Sequence, residues 1–264
     1  MKKLSFVVSL LLIAAVGAQA KLITKAVPYE HAGVKLEGYL AYDDQAKGSR
    51  PGVLVIPEWW GLNDYTKRRA DELAKLGYVA FAVDMYGAGV VTEDAAKAKQ
   101  LSGPFYGKPL MAERAHAALD QLLKVDSVDS KRVAVMGYCF GGTTALALAY
   151  DGAPLAAVIT VHGGLIPAPA GALEKTHAKF LVLHGAIDPF VKPEDVQAFQ
   201  KAMNEAKTDY QLVSYANAIH AFSNPDADRL AKKNNLDGIG YNEPAARRSW
   251  REVEAFLSET IGKR

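Results

Sequence analysis

The chain has 264 residues, half of them hydrophobic, with 31 basic residues against 29 acidic ones and a single cysteine. Removing Lys2 and Lys3 with an N-terminal leader leaves 29 basic residues, a balance that supplies no electrostatic reason for nucleic acid or an anionic membrane as partner. One cysteine excludes an intramolecular disulfide, and neither a cluster of His, Cys and carboxylates at ligand spacing nor a glycine-rich phosphate loop calls for a metal or cofactor.

Lys2 and Lys3, the apolar stretch 4–17 and the small-residue exit Ala18-Gln19-Ala20 have the order of a secretory signal. Cleavage is expected after Ala20, leaving residues 21–264 as one periplasmic or secreted domain. The apolar stretch is shorter than the ~20 residues that cross a bilayer, so no membrane anchor is expected. Nothing in the sequence sets the oligomeric state, and a monomer is compatible with it.

Short β-rich runs then alternate with longer amphipathic ones. The runs 52–56 (GVLVI), 78–83, 131–136, 156–161 and 179–184 are continuously apolar, as in strands covered on both faces, and 34–42 and 210–215 extend the same sheet. Apolar residues at three- and four-residue spacing predict helices at 65–76, 109–125, 141–149, 193–206 and 243–261. The stretch 87–108 has no clean period and is expected to hold a helix and loop that form part of a cap. No linker or repeat divides the chain, so the expected fold is α/β: a doubly wound, mostly parallel sheet flanked by helices, in one domain.

Strand 131–136 runs into Gly137-Tyr138-Cys139-Phe140-Gly141-Gly142. This is a nucleophile elbow with Cys139 in the place of the usual serine, and its glycines allow the strand and the following helix to pack closely. Asp188 follows the strand 179–184 and His220 follows the last strand, which is the order nucleophile, acid, histidine of α/β-hydrolases. In that arrangement His220 shuttles a proton for Cys139, and Asp188 orients the imidazole and stabilises its charged form. The oxyanion donors expected for such a site are the backbone N–H groups of Trp59 and Phe140. His162, at a strand end, is read as structural or as lining the site, and His184 as packing beneath the loop of Asp188.

With these motifs the chain resembles the dienelactone hydrolases, from about Leu36 to the C-terminal helix. The segment Pro57-Glu58-Trp59-Trp60-Gly61 is similar to the one in which that family keeps a glutamate beside its catalytic thiol. The resemblance implies that Glu58 helps deprotonate Cys139. Trp59 and Trp60 are read equally as pocket lining or as packing. The sequence departs from the family where a substrate carboxylate is bound: the segments Asp84-Met85-Tyr86-Gly87-Ala88-Gly89 and His220-Ala221-Phe222-Ser223-Asn224 carry no arginine. The expected function is hydrolysis of a small-molecule ester, lactone or thioester through an acyl-thiol intermediate, without a cofactor. Acyl transfer on the same triad, and a non-catalytic binding or redox protein on a hydrolase scaffold, are the alternatives.

Overall fold

The computed structural model describes residues 21–45 and 48–262, and the expected signal peptide, 1–20, lies outside the described residues. Eight strands form one sheet in the order β1-β2-β4-β3-β5-β6-β7-β8. The outer strands β1 (Leu22–His31) and β2 (Val34–Asp43) are antiparallel, whereas β4 (Val79–Ala82), β3 (Arg50–Ile56), β5 (Val128–Tyr138), β6 (Ala157–Val161), β7 (Lys179–Gly185) and β8 (Tyr210–Tyr215) run parallel. Every residue of β3, β4 and β6 is buried, which is why these runs are apolar without alternation.

Helices cover both faces. On one, α1 (Asp64–Lys75) and α8 (Glu243–Thr260) meet a core that includes Val55, Tyr78, Met136 and Phe256. On the other, α3 (Leu110–Leu123), α4 (Phe140–Tyr150) and α6 (Pro193–Glu205) enclose Leu54, Phe81, Leu119, Leu146 and Met203. The side chain of Asn63 accepts from Thr66 N–H at 3.2 Å to cap α1, and Asn242 accepts from Ala245 N–H at 3.1 Å to cap α8. Among the described residues no helix is long and apolar enough to cross a membrane.

The strands and helices expected from the sequence are present; a single helical turn, α5 (Ala172–Lys175), is added between β6 and β7, and three further differences stand out. Strand β1 is an addition: it is an edge strand with only Tyr29 buried and with Pro28 in its middle, so it lacks an apolar run. Ala32 and Gly33, both at positive φ, turn it into β2. Within 87–108 the helix is α2 (Ala95–Ser102), followed by one tight turn at 103–105, and beyond β8 the unforeseen α7 (Ala227–Asn234) faces it. Finally, α4 is buried around almost its whole circumference, with only Ala147 partly exposed, rather than amphipathic. It lies between the sheet and α3, so it has no face left for water.

Candidate active site

Glu58, Cys139, Asp188 and His220 follow β3, β5, β7 and β8, so four loops at the C-terminal edge of the parallel strands converge. Cys139 sits between β5 and α4 with φ 52° and ψ −115°, a strained backbone for a residue with a side chain. Its surroundings hold it there. A Cβ on Gly137 would overlap the Gly141 carbonyl, one on Gly141 would overlap the Ile56 and Pro57 carbonyls, and one on Gly142 would crowd Thr160 and Gly163. The glycines therefore let strand, turn and helix approach at backbone distance.

His220 is buried, with Nδ1 2.8 Å from Oδ2 of Asp188, whose side chain has no exposed surface. The other carboxylate oxygen of Asp188 accepts from Phe190 N–H at 2.8 Å. Burial pulls the imidazole pKa down, but the neighbouring Cys139 and the hydrogen bonds to Asp188 and Cys139 outweigh it and raise the pKa to about 10. The structure thus brings the three predicted triad residues together in the order acid, histidine, thiol. The N–H groups of Trp59 and Phe140 donate to no other group among the described residues, which leaves both available to a ligand.

Glu58 is 2% exposed, and burial raises its pKa to about 7 despite the opposing pull of Asn224 and His220. Asn224 Nδ2 donates to Oε2 of Glu58 at 2.6 Å, while Oε1 has no hydrogen-bond partner among the described residues. Asn224 was not among the expected site residues. It stands four places after His220, where no short motif marks an amide as the partner of Glu58.

A second unforeseen group lies behind the histidine. Ser223 Oγ is 2.8 Å from Nε2 of His162 and 2.9 Å from the Tyr65 hydroxyl, and the Ser223 carbonyl accepts from Nη2 of Arg69 at 3.2 Å. His162, at φ 41°, packs edge-on to His220 with ring centroids 5.3 Å apart. Burial and then the charge of His220 keep its pKa well below the ordinary histidine value, so its ring stays neutral beside an imidazolium. His184 is also buried, at the end of β7, and burial lowers its pKa against the pull of Asp188.

These groups open onto a cavity of about 260 Å³ lined by Cys139, Glu58 and His220, with Trp59, Trp60 and Leu230 among its apolar walls. Both tryptophans therefore line the pocket, and they also pack, with ring centroids 5.0 Å apart. Trp60 rests on Ala98 of α2 and Leu230 of α7, so these two unforeseen elements support one wall. An open cleft of about 440 Å³ against α1 and α8 contains none of the triad. Among the described residues no group of three or more His, Cys, Asp and Glu side chains is placed to hold a metal ion.

Residues 36–261 match the model of the dienelactone hydrolase family. The chain belongs to the dienelactone hydrolase family. A solved structure of a dienelactone hydrolase-like promiscuous phosphotriesterase from metagenomic libraries is 39% identical, covers 92% of this chain and all of its own, and superposes with a TM-score of 0.87. A Saccharolobus solfataricus protein provisionally named carboxymethylenebutenolidase is 29% identical over 88% of this chain and 97% of its own. An α/β hydrolase from a deep-sea metagenome, 17% identical with a TM-score of 0.64 over 90% of this chain and 98% of its own, shares the fold. The chain is thus a hydrolase of the dienelactone hydrolase type on an α/β-hydrolase fold.

Proposed function

We propose that the protein is an exported cysteine hydrolase of esters, lactones or thioesters. The observation that carries this reading is His220 held between Asp188, at 2.8 Å, and the thiol of an elbow cysteine, beside two uncommitted backbone donors. Glu58 takes the thiol proton, and Cys139 Sγ attacks the carbonyl carbon. The oxyanion rests on the Trp59 and Phe140 N–H groups. The carbonyl carbon's bond to the leaving group breaks, and His220 gives its proton to the departing alkoxide or thiolate. His220, now neutral, deprotonates a water that adds to the acyl-thiol carbonyl; cleavage of the C–S bond releases the acid, and the departing sulfur takes back the proton held on Glu58, which restores the enzyme. No step requires a cofactor.

The test is turnover of activated esters, thioesters and unsaturated lactones by reduced mature protein, against Cys139→Ala and Glu58→Gln. A phosphotriester belongs in the panel because a similar solved protein is described as a promiscuous phosphotriesterase. Turnover abolished by Cys139→Ala supports the reading, and a slowed Glu58→Gln supports the role of the carboxylate. An inert protein whose thiol labels rapidly would instead favour a binding or redox role, and transfer of the acyl group to an added alcohol or amine faster than to water would favour an acyltransferase. Export is tested separately by expressing the full chain in a bacterium. A periplasmic product beginning at Lys21 supports it, and a cytoplasmic product retaining residues 1–20 refutes it.

A further inference from the structure

The walls of the cavity constrain the substrate as much as its nucleophile does. Among the described residues no lysine or arginine lines it, and Glu58 is its one carboxylate. The arginine on the neighbouring α7, Arg229, is committed elsewhere: its guanidinium holds Glu93 at 2.8 Å and Asp226 at 3.4 Å on the exposed surface. The one cationic group in the lining, the His220 imidazolium, is already paired with Asp188 at 2.8 Å, so a substrate carboxylate entering this space would lose its hydration with no uncommitted cation to replace it, and would meet Glu58 besides.

The mouth points the same way. Tyr106 and Phe190 line the pocket, yet they are 48% and 57% exposed and belong to a small set of large hydrophobic side chains left in water. The Tyr106 ring packs edge-on to Phe140, next to the nucleophile, with centroids 5.6 Å apart. The Phe190 ring packs edge-on to His220 at 5.1 Å. Two exposed aromatic rings therefore flank the reacting centre, one on the side of the thiol and one on the side of the base. Such surfaces gain most from covering by a flat or branched apolar group.

We propose that the substrate is an uncharged ester whose aromatic or branched apolar acyl group is held between Tyr106 and Phe190, and that carboxylated substrates are excluded. The inference rests on the hydrolase reading above and adds the class of substrate to it. The experiment compares kcat/KM of the reduced mature protein for 4-nitrophenyl acetate, butyrate, benzoate and hemisuccinate. The expected result is a preference of butyrate over hemisuccinate by at least about 100-fold, because the pocket offers the buried carboxylate no uncommitted cation. Benzoate is preferred over acetate, and Phe190→Ser reduces that benzoate-to-acetate ratio by about 10-fold or more. Phe190→Arg, which supplies the missing cation at the rim, raises the hemisuccinate-to-butyrate ratio by about 10-fold or more. Hemisuccinate hydrolysed as well as butyrate, or ratios unmoved by either Phe190 substitution, would overturn the inference while leaving the hydrolase reading intact. Failure of the wild type to turn over any of the four esters, or undiminished turnover by Cys139→Ala, would remove the hydrolase reading and this inference with it.

Discussion

Burial pushes the Glu58 carboxyl up to about 7 although Asn224 and His220 both pull it down. Its pKa in the folded protein lies above the 4.5 of an ordinary glutamate, so its contribution to stability is present below pH 4.5 and is lost as pH rises through about 7. Above pH 7 the folded protein bears a buried charge at a cost of about 3 kcal/mol. Glu58→Gln is therefore expected to raise Tm relative to wild type at pH 8.5 and to leave it unchanged at pH 4.5. Melting curves for the two proteins that run parallel across this range would contradict it. At Asp188 the expectation concerns rate. Asp188→Asn keeps the shape but removes the charge that orients and stabilises the imidazolium, and kcat/KM for an activated ester should fall on the order of 10³-fold to 10⁴-fold. A loss under ten-fold would mean that His220 works without this carboxylate. The sequence pointed to Asp188, His220 and Cys139 as candidates because a motif and its place after a strand are local properties. It was silent on Asn224 and Ser223, whose partners lie 166 and 61 residues away.

The elbow is a device of three elements, β3, β5 and α4, pressed together through glycines. Ala in place of Gly141 would set a methyl group against the Ile56 and Pro57 carbonyls, backbone atoms that cannot rotate aside. Gly141→Ala is expected to cost more than about 3 kcal/mol in urea unfolding or to prevent folding altogether. Gly103, at φ −51° with open space where a Cβ would stand, is the control: Gly103→Ala should stabilise by about 0.4–1 kcal/mol. Equal stability of the two variants would show that α4 does not pack on β3 as described. The parallel strands were legible because both their faces are buried, which writes an unbroken apolar run. The edge strand β1 was not, because its pairing with β2 depends on backbone groups that any sequence possesses, and Pro28 and Lys25 disguise it. The helix α7 carried a readable sign in Ala227, Leu230 and Ala231, at helical spacing on its buried face.

Across the whole molecule, the loop after β8 is tied to both layers. Ser223 joins Tyr65 on α1 to His162 at the end of β6, between residues that serve the site: His220 three places before it and Asn224 one place after. Ser223→Ala would leave the Tyr65 hydroxyl and the His162 ring buried with fewer partners, and should cost roughly 2 kcal/mol, or about 4–8 °C in Tm. Because the same loop registers His220 against Cys139, kcat should fall at temperatures where the variant is fully folded, whereas a destabilised variant of full activity would limit Ser223 to a packing role.

Taken alone, the sequence determined the fold class, the order of the parallel strands along the chain, the elbow and the identity of its three candidate reacting side chains. Each is written in composition, period or short motif, which need no knowledge of what lies opposite. Only the tertiary structure decided that a buried Glu58 is held by Asn224, that a neutral His162 backs His220, and that the pocket is apolar and framed by Tyr106 and Phe190. Those properties arise from side chains distant in sequence that meet where strand ends converge, and desolvation, the force that sets their charge states, exists only once the chain has closed around them.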